Sequence, residues 1–312
     1  MAAAARKRLA PCPAAADIKK RARHQLWTID DYDKLEVLGF GSYGVVAKAR
    51  HRCTGETVAV KCFHGGDDGE PAAAGVREVA CLAACRGHPS VVQIEGVDAD
   101  EATGDLFLVM DFVGPSLRRR LTRPFSEDET RAFMRQLLNA AEKLHGAGII
   151  HRNLTPENIL VGPDDTLKIC GFGTAVTTED RVGLAQCVGT MRYCSPEQHV
   201  GMCGYTPAVD MWTLGCVMAE LLAGKPLFES HTEDDVFEEI LYLRDQIVCQ
   251  GLDAFDEYLP ELSPAGREVL AGLLSFHDHE RLTAAEALKH RWFAEDAKLP
   301  AITNAEHPAI CE

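Results

Sequence analysis

Past Tyr32 the apolar positions come in short runs broken by glycine. Leu35, Val37 and Leu38 lead into a glycine cluster, Val45, Val46 and Ala47 leave it, and Thr57-Val58-Ala59-Val60-Lys61 forms a third run. Short β-branched runs separated by turn residues predict a meander of three strands. Gly65, Gly66, Gly69 and Pro71 then interrupt the chain before an alanine-rich stretch, about 72–85, that reads as a helix. Val91 to Val97 and Leu106 to Phe112 supply two more strands. Beyond Pro115 the period changes. In Ser126 to His145 the residues Phe133, Met134, Leu137, Leu138, Ala141 and Leu144 line one helical face, and Ser126 with Glu129 three later forms a capping-box pattern. Further helices are predicted near 207–223, 234–243, 264–274 and 283–289. A β-rich first part followed by a helical second part predicts an α+β, bilobal chain: a small β-rich N-lobe, a larger mainly helical C-lobe, and a cleft between them.

With 312 residues, 46% of them hydrophobic and 25% charged, the chain is long enough for two cored lobes. The longest apolar run, Met211 to Gly224, is shorter than the roughly 18 residues of a membrane span and carries Glu220, which argues against an integral membrane protein. Met-Ala-Ala-Ala-Ala-Arg-Lys-Arg at the start lacks the apolar segment of a secretory signal, so the twelve scattered cysteines are expected to be reduced. Cys170, Cys187 and Cys194 flank the predicted cleft. Charge is segregated: residues 1–24 carry seven Lys or Arg against Asp17, a balance of +6, and the remainder carries 25 basic against 46 acidic residues, −21. An acidic body argues against nucleic-acid binding. The basic head, Lys7-Arg8 and then Lys19-Lys20-Arg21-Ala22-Arg23 after ten residues, resembles a bipartite nuclear-import signal. Its composition predicts a disordered tail over residues 1–31.

The chemistry begins at Gly39-Phe40-Gly41-Ser42-Tyr43-Gly44-Val45-Val46, set between two predicted strands and followed after a hairpin by Val58-Ala59-Val60-Lys61. Glycines let a hairpin lie close over a polyphosphate, and a strand lysine pairs its α and β phosphates. Because a strand follows the glycines, and not a helix, the dinucleotide-binding reading of the same spacing is disfavoured.

From Tyr32 to Phe293 the motifs resemble, in order, those of the protein kinase family. Lys61 and Glu78 stand where kinases place their strand lysine and helix glutamate. His151-Arg152-Asn153-Leu154-Thr155-Pro156-Glu157-Asn158 resembles the catalytic loop, Gly171-Phe172-Gly173 the D-F-G segment and Ser195-Pro196-Glu197 the A-P-E segment. Asp210 to Gly215 resembles the buried helix behind that loop, and Arg281 the arginine that pairs with the A-P-E glutamate. The resemblance implies a kinase-like domain over 32–293, with an N-lobe to about 113 and a C-lobe beyond it, followed by a tail, 294–312. Within the family, Pro71 to Glu78 and the hinge-like Leu106 to Val113 are similar to cyclin-dependent serine/threonine kinases, of plants or other lineages. Leu38, Val46, Ala59 and Leu160 would then enclose adenine beneath Gly39 to Val45, with Met110 as gatekeeper and Asp111 and Val113 as its backbone partners. Ser42 and Tyr43 match positions of inhibitory phosphorylation.

Three of the reacting positions depart from the pattern. The base aspartate is Asn153, an amide that accepts no proton at neutral pH, and general-base catalysis is worth about 10² to 10⁴ in rate. The metal aspartate is Gly171, leaving Asn158 alone of the metal pair, so Mg²⁺ binding is doubtful while ATP remains the expected ligand. The catalytic-loop lysine is Thr155. Glu157 is read as an ordinary loop residue, and Asp164 and Asp165 as turn residues. The activating threonine of cyclin-dependent kinases falls at Ala185 or Gln186, although Arg77 and Arg152 persist of the arginines that would grip its phosphate; the third position is Val176. Cys194 replaces an arginine that favours proline after the target residue. The expected function is an ATP-binding pseudokinase that acts through protein partners in nucleus or cytoplasm, the alternative being an active serine/threonine kinase. A cyclin is implied among the partners only by the resemblance, and the altered Pro71 to Glu78 segment weakens it.

Overall fold

The computed structural model describes residues 29–41, 44–64, 70–178, 189–202, 204 and 206–294. Ser42, Tyr43, Gly65, Gly66, Gly69, Ala185, Gln186, Cys187, the basic head and the tail from 295 lie outside the described residues.

Five antiparallel strands form the first lobe: β1 (Tyr32–Gly41), β2 (Gly44–His51), β3 (Thr57–Phe63), β4 (Ile94–Ala99) and β5 (Leu106–Asp111), in the spatial order β1-β2-β3-β5-β4. Helix α1 (Glu70–Ala84) crosses between β3 and β4 and packs on one face of this sheet. Alternation along β3 decides what each face does. Ala59, Lys61 and Phe63 point one way, whereas Val58 and Val60 join Tyr32, Ala49 and Val109 in a small separate core on the other. Where β2 begins, a Cβ on Gly44 would collide with the carbonyl oxygen of Cys62, so only glycine permits this approach of β2 to β3.

The second lobe is helical. It contains α2 (Leu117–Arg120), α3 (Glu127–Gly146), the short hairpin strands β6 (Ile149–Ile150), β7 (Ile159–Val161), β8 (Leu167–Ile169) and β9 (Val176–Thr177), then α4 (Pro196–His199), α5 (Ala208–Ala223), α6 (Glu233–Gln250), α7 (Pro264–Leu273), α8 (Ala284–Leu288) and α9 (Arg291–Ala294). The capping box at α3 is present: Ser126 Oγ accepts from Glu129 N at 3.2 Å, and Glu129 accepts from Ser126 N at 2.7 Å. Helix α5 is buried nearly all round, as expected where apolar residues cover every face. One continuous core joins α5 to α3 and α7 and reaches up to Phe63, Leu82 and Leu108 of the first lobe.

Two boundaries differ from the pattern reading. The predicted strand from Val91 begins only at Ile94, because residues 90–92 are drawn to β8: Val92 N donates to Ile169 O at 3.0 Å and Ile169 N to Ser90 O at 2.9 Å. Helix α6 continues to Gln250, past the predicted Leu243, since Ile247 still packs on the core one turn further on. Asp164 and Asp165 form the β7–β8 turn, both at positive φ, a conformation aspartate tolerates better than most residues. Among the described cysteines seven are free. Cys53, exposed at the β2–β3 turn, is disulfide-bonded, which corrects the expectation of reduced thiols throughout; a surface thiol is open to a partner in a way buried ones are not. Among the described residues no helix is long and apolar enough to cross a membrane.

Candidate active site

The cleft is anchored by a buried ion pair. Lys61 Nζ lies 2.6 Å from Glu78 Oε2, and the two residues are only 8% and 1% exposed. Removing one partner of such a pair strands the other's charge, which costs about 3–5 kcal/mol. The pair fixes α1 against β3 and holds the ammonium in the interior of the first lobe. Around it Leu38, Val46, Val113 and Leu160 are half-buried and Ala59 and Met110 buried, with Ala59 and Met110 directly opposite in the β3–β5 register. Gly39 has open space where a side chain would sit, and Phe40 is exposed. Asp111 spends its N–H on Gln93 O at 3.1 Å, and its carboxylate takes Gln93 N and Lys168. Val45 is half-buried on β2, and Gly41 pairs with Gly44 at the tip of the hairpin. The strand registers thus set Ala59 opposite Met110 and Gly39 opposite Val46, while Ser42 and Tyr43 fall outside the described residues.

The catalytic loop is shaped from below by Asp210 on α5. Its carboxylate accepts from His151 N at 2.9 Å and Arg152 N at 2.7 Å and contacts His145 Nε2 at 3.0 Å. Burial would raise this carboxyl, but His145 and His151 outweigh it and hold Asp210 below the usual carboxylate range. His151 is itself fully buried, its Nε2 3.0 Å from Cys170 O and its ring edge-on to Phe172 at 4.6 Å; burial lowers its pKa. None of these contacts uses the side chain at 153. Asn153 keeps the loop's geometry, and Thr190 Oγ1 reaches its Oδ1 at 3.5 Å. Thr155 is buried, with no partner for its hydroxyl, and supplies no ammonium to steady a phosphate. Glu157 is taken by Arg118 at 2.7 Å and is not a substitute base.

Gly171 adopts a left-handed conformation, φ 80° and ψ 48°, at the entry to the segment that follows. A Cβ built there would collide with Asn158 Oδ1 and lie 2.8 Å from its Cγ. Asn158 has thus filled the space beside Gly171 while its Nδ2 donates to Asn153 O at 2.9 Å. The residues present do not fit the usual Mg²⁺ set: the carboxylate is gone, and only the neutral amide oxygen of Asn158, whose nitrogen is held by the loop backbone, is left beside Gly171. Cys170, just before, has its thiol pushed up to about 12 by burial, with Glu78 adding to the shift. Cys194 is buried with its Sγ toward Thr190 O.

Arg77 and Arg152 both reach the segment after Gly171. Arg77 donates to Gly173 O at 3.0 Å and Arg152 Nε to Thr174 O at 2.6 Å, so both bind the backbone of the segment after Gly171. Val176, the third position, pairs in β9 with Ile150. At the far end, Arg281 forms two hydrogen bonds to Glu197, at 2.7 and 3.1 Å, and stacks over Trp212. A second network escaped the sequence reading: Arg118 binds Glu157, Glu220 and Tyr193, and Tyr193 donates to Glu220 at 2.6 Å. The one signal for it was Glu220, a lone acid in the apolar run of α5, since a fully buried carboxylate requires a cation.

The profile described as the protein kinase domain matches residues 32–293. A protein of Oryza sativa subsp. japonica provisionally named cyclin-dependent kinase F-2 is 41% identical over 91% of this chain and 94% of its own length. The cell division control protein 2 homolog 3 of Trypanosoma brucei brucei is 34% identical over 85% of this chain and 93% of its own. Cyclin-dependent kinase G1 of Arabidopsis thaliana is 33% identical over 86% of this chain, which spans only 50% of that relative. Bilobal architecture, colinear motifs and these relatives agree, and the chain belongs to the cyclin-dependent-kinase-like serine/threonine protein kinases.

Proposed function

We propose that this chain is a catalytically impaired member of its family, one that takes ATP into the cleft without the usual Mg²⁺ and works through contacts with protein partners. The observation that carries this reading is the pair Gly171 and Asn158: a glycine stands where the metal carboxylate would be, and the Asn158 amide lies in the space beside it. Asn153 adds to it, because an amide orients a hydroxyl but accepts no proton from it. The test is the ATP-induced shift in melting temperature with and without Mg²⁺, paired with a transfer assay. At a hundred times its dissociation constant, ATP adds about 2.7 kcal/mol of stability. We expect a shift of equal size with and without metal, and no transfer above background. Restoring Asn153→Asp and Gly171→Asp together should raise transfer, provided Asn158 turns aside.

The alternative is a slow active kinase, favoured by one observation, the Lys61–Glu78 contact of 2.6 Å. Transfer that Lys61→Ala abolishes would establish that alternative and overturn the proposal. A cyclin-like partner is proposed for the surface of α1, where Val76 is 63% exposed; co-purification that Val76→Glu disrupts is the check. Nuclear import through Lys19, Lys20 and Arg21 is a separate proposal, and replacing all three should leave a tagged chain outside the nucleus.

A further inference from the structure

Three side chains with different metal-binding chemistry meet on the outer face of the sheet. Cys62 lies near the end of β3 and His64 just past it, two residues apart, so both lie on the face opposite Lys61 and Phe63. The β3–β5 register pairs Cys62 with Phe107 and Phe63 with Leu106, which brings Asp105 across from His64. Cys62 Sγ is 3.8 Å from His64 Nδ1 and 4.0 Å from Asp105 Oδ2, and His64 Nδ1 is 3.7 Å from Asp105 Oδ1. The carboxylate sits on a braced turn: Asp100 N donates to Asp105 O at 2.9 Å, Gly104 N to Asp100 O at 2.8 Å, and Asp105 N to Thr103 Oγ1 at 3.3 Å.

The geometry points to a Zn²⁺ site formed by Cys62 Sγ, His64 Nδ1 and the Asp105 carboxylate, with water as the fourth ligand. Tetrahedral zinc with a bond of about 2.3 Å to sulfur and about 2.0–2.2 Å to nitrogen and oxygen sets its ligand atoms about 3.4–3.8 Å apart. The Cys62 contact is to Oδ2 and the His64 contact to Oδ1, so with one carboxylate oxygen as ligand the three atoms, all within 4.8 Å of one another, close by up to about 1 Å as the carboxylate and the exposed imidazole turn. One thiolate, one imidazole and one carboxylate suit zinc, whereas Mg²⁺ and Ca²⁺ take all-oxygen sets. The thiol proton leaves to solvent as the Zn–S bond forms. His64 is 62% exposed at its side chain, so a water has room to complete the tetrahedron. The ion would clamp the exit of β3 to the entrance of β5, on the side of the sheet away from the Lys61–Glu78 pair, and this inference is independent of whether the cleft transfers phosphate.

The experiment uses the full chain, stripped with a chelator and titrated with Zn²⁺ against a chromophoric competitor, then with Co²⁺ as a spectroscopic stand-in. One equivalent of Zn²⁺ should bind, and the cobalt form should show a thiolate-to-metal charge-transfer band with intense tetrahedral absorption. Cys62→Ser should abolish that band, and His64→Ala and Asp105→Ala should each weaken zinc at least about tenfold. Absence of zinc binding by the unaltered chain overturns the inference. So does equal binding by the unaltered chain and Cys62→Ser, which places the metal on other cysteines or histidines. If Cys62→Ser fails to fold, His64→Ala, altered at a largely exposed side chain, carries the same test.

Discussion

Below the catalytic loop and above it, the same few residues of chain have met different fates. Beneath, Asp210, Arg281, Glu197, Glu220 and Arg118 hold their partners in a dense, buried frame. Above, Asn153, Thr155 and Gly171 stand where reacting groups would be. The difference has a structural cause. Asp210 grips the backbone of His151 and Arg152, and Phe172 packs on His151, so the loop's shape never depended on the side chains at 153, 155 or 171. A cleft of this design can lose its chemistry while keeping its form.

The largest expected effect tests the frame. Asp210→Ala leaves two buried backbone N–H groups and His145 without their acceptor, and each unmade buried bond costs about 1–3 kcal/mol. Their sum is comparable with the whole stability of a domain, so denaturant melts should show no cooperative native state. Arg281→Met strands Glu197, and should cost about 3–5 kcal/mol in the same assay while leaving a folded protein. If both variants melt like the unaltered chain, the frame is not what preserves the loop.

Acid should expose the frame in two stages. His151 has its pKa lowered by burial, so below its ordinary value of about 6.5 the unfolded chain takes up a proton that the folded chain refuses. Stability therefore falls as pH drops from 6.5 toward the folded value. Asp210, held low, contributes fully above the ordinary carboxylate range and loses that contribution as pH falls through its depressed folded value. Melting temperature measured from pH 8 to pH 3 should decline in those two windows, and His151→Phe should shrink the first of them, what remains coming from His88 and His199, which burial also lowers.

Gly171→Asp tests the floor, and the expected loss is smaller. The new side chain meets Asn158 at a backbone φ of 80°, a combination that costs about 1–3 kcal/mol. In the Gly171→Asp background, Asn158→Ala should recover much of that loss, although alone it removes the bond to Asn153 O and destabilises. A double-mutant cycle on melting free energies measures this coupling. Additive effects would mean that Asn158 does not occupy the contested space.

Much of this was legible in the chain order. The five strands of the first lobe, the α3 capping box, the Lys61–Glu78 pair and the Arg281–Glu197 pair follow from periodicity and motif spacing, because each depends on local pattern or on positions the kinase resemblance fixes; the short strands β6 to β9 do not. What escaped depends on contacts between segments far apart in sequence. Nothing in one dimension says that Asn158 turns toward Gly171, or that Arg118 reaches Glu157 and Glu220 at once. The late start of β4 escaped for the same reason, since Val91 is as good a strand residue as Ile94 and only its pairing with β8 removes it. Cys62, His64 and Asp105 meet only through the β3–β5 register, which pattern alone does not set across a long connection.

The smallest expected effect has the opposite sign. Thr155 is 1% exposed, and its hydroxyl has no hydrogen-bond partner, whereas an unsatisfied buried hydroxyl usually costs about 1–3 kcal/mol. Thr155→Val has nearly the same shape and removes that cost, so the variant should melt at the same temperature or higher, by up to about 1 kcal/mol. Thr155→Lys should do the reverse in the free protein, because an ammonium has no partner in that pocket and must turn out toward the cleft. Phosphate oxygens would then offer it one, so ATP should raise the melting temperature of Thr155→Lys more than that of the unaltered chain. A Thr155→Val variant that melts lower would mean the hydroxyl bonds to a group that forms only in solution, and position 155 would then belong with the preserved frame and not with the altered floor.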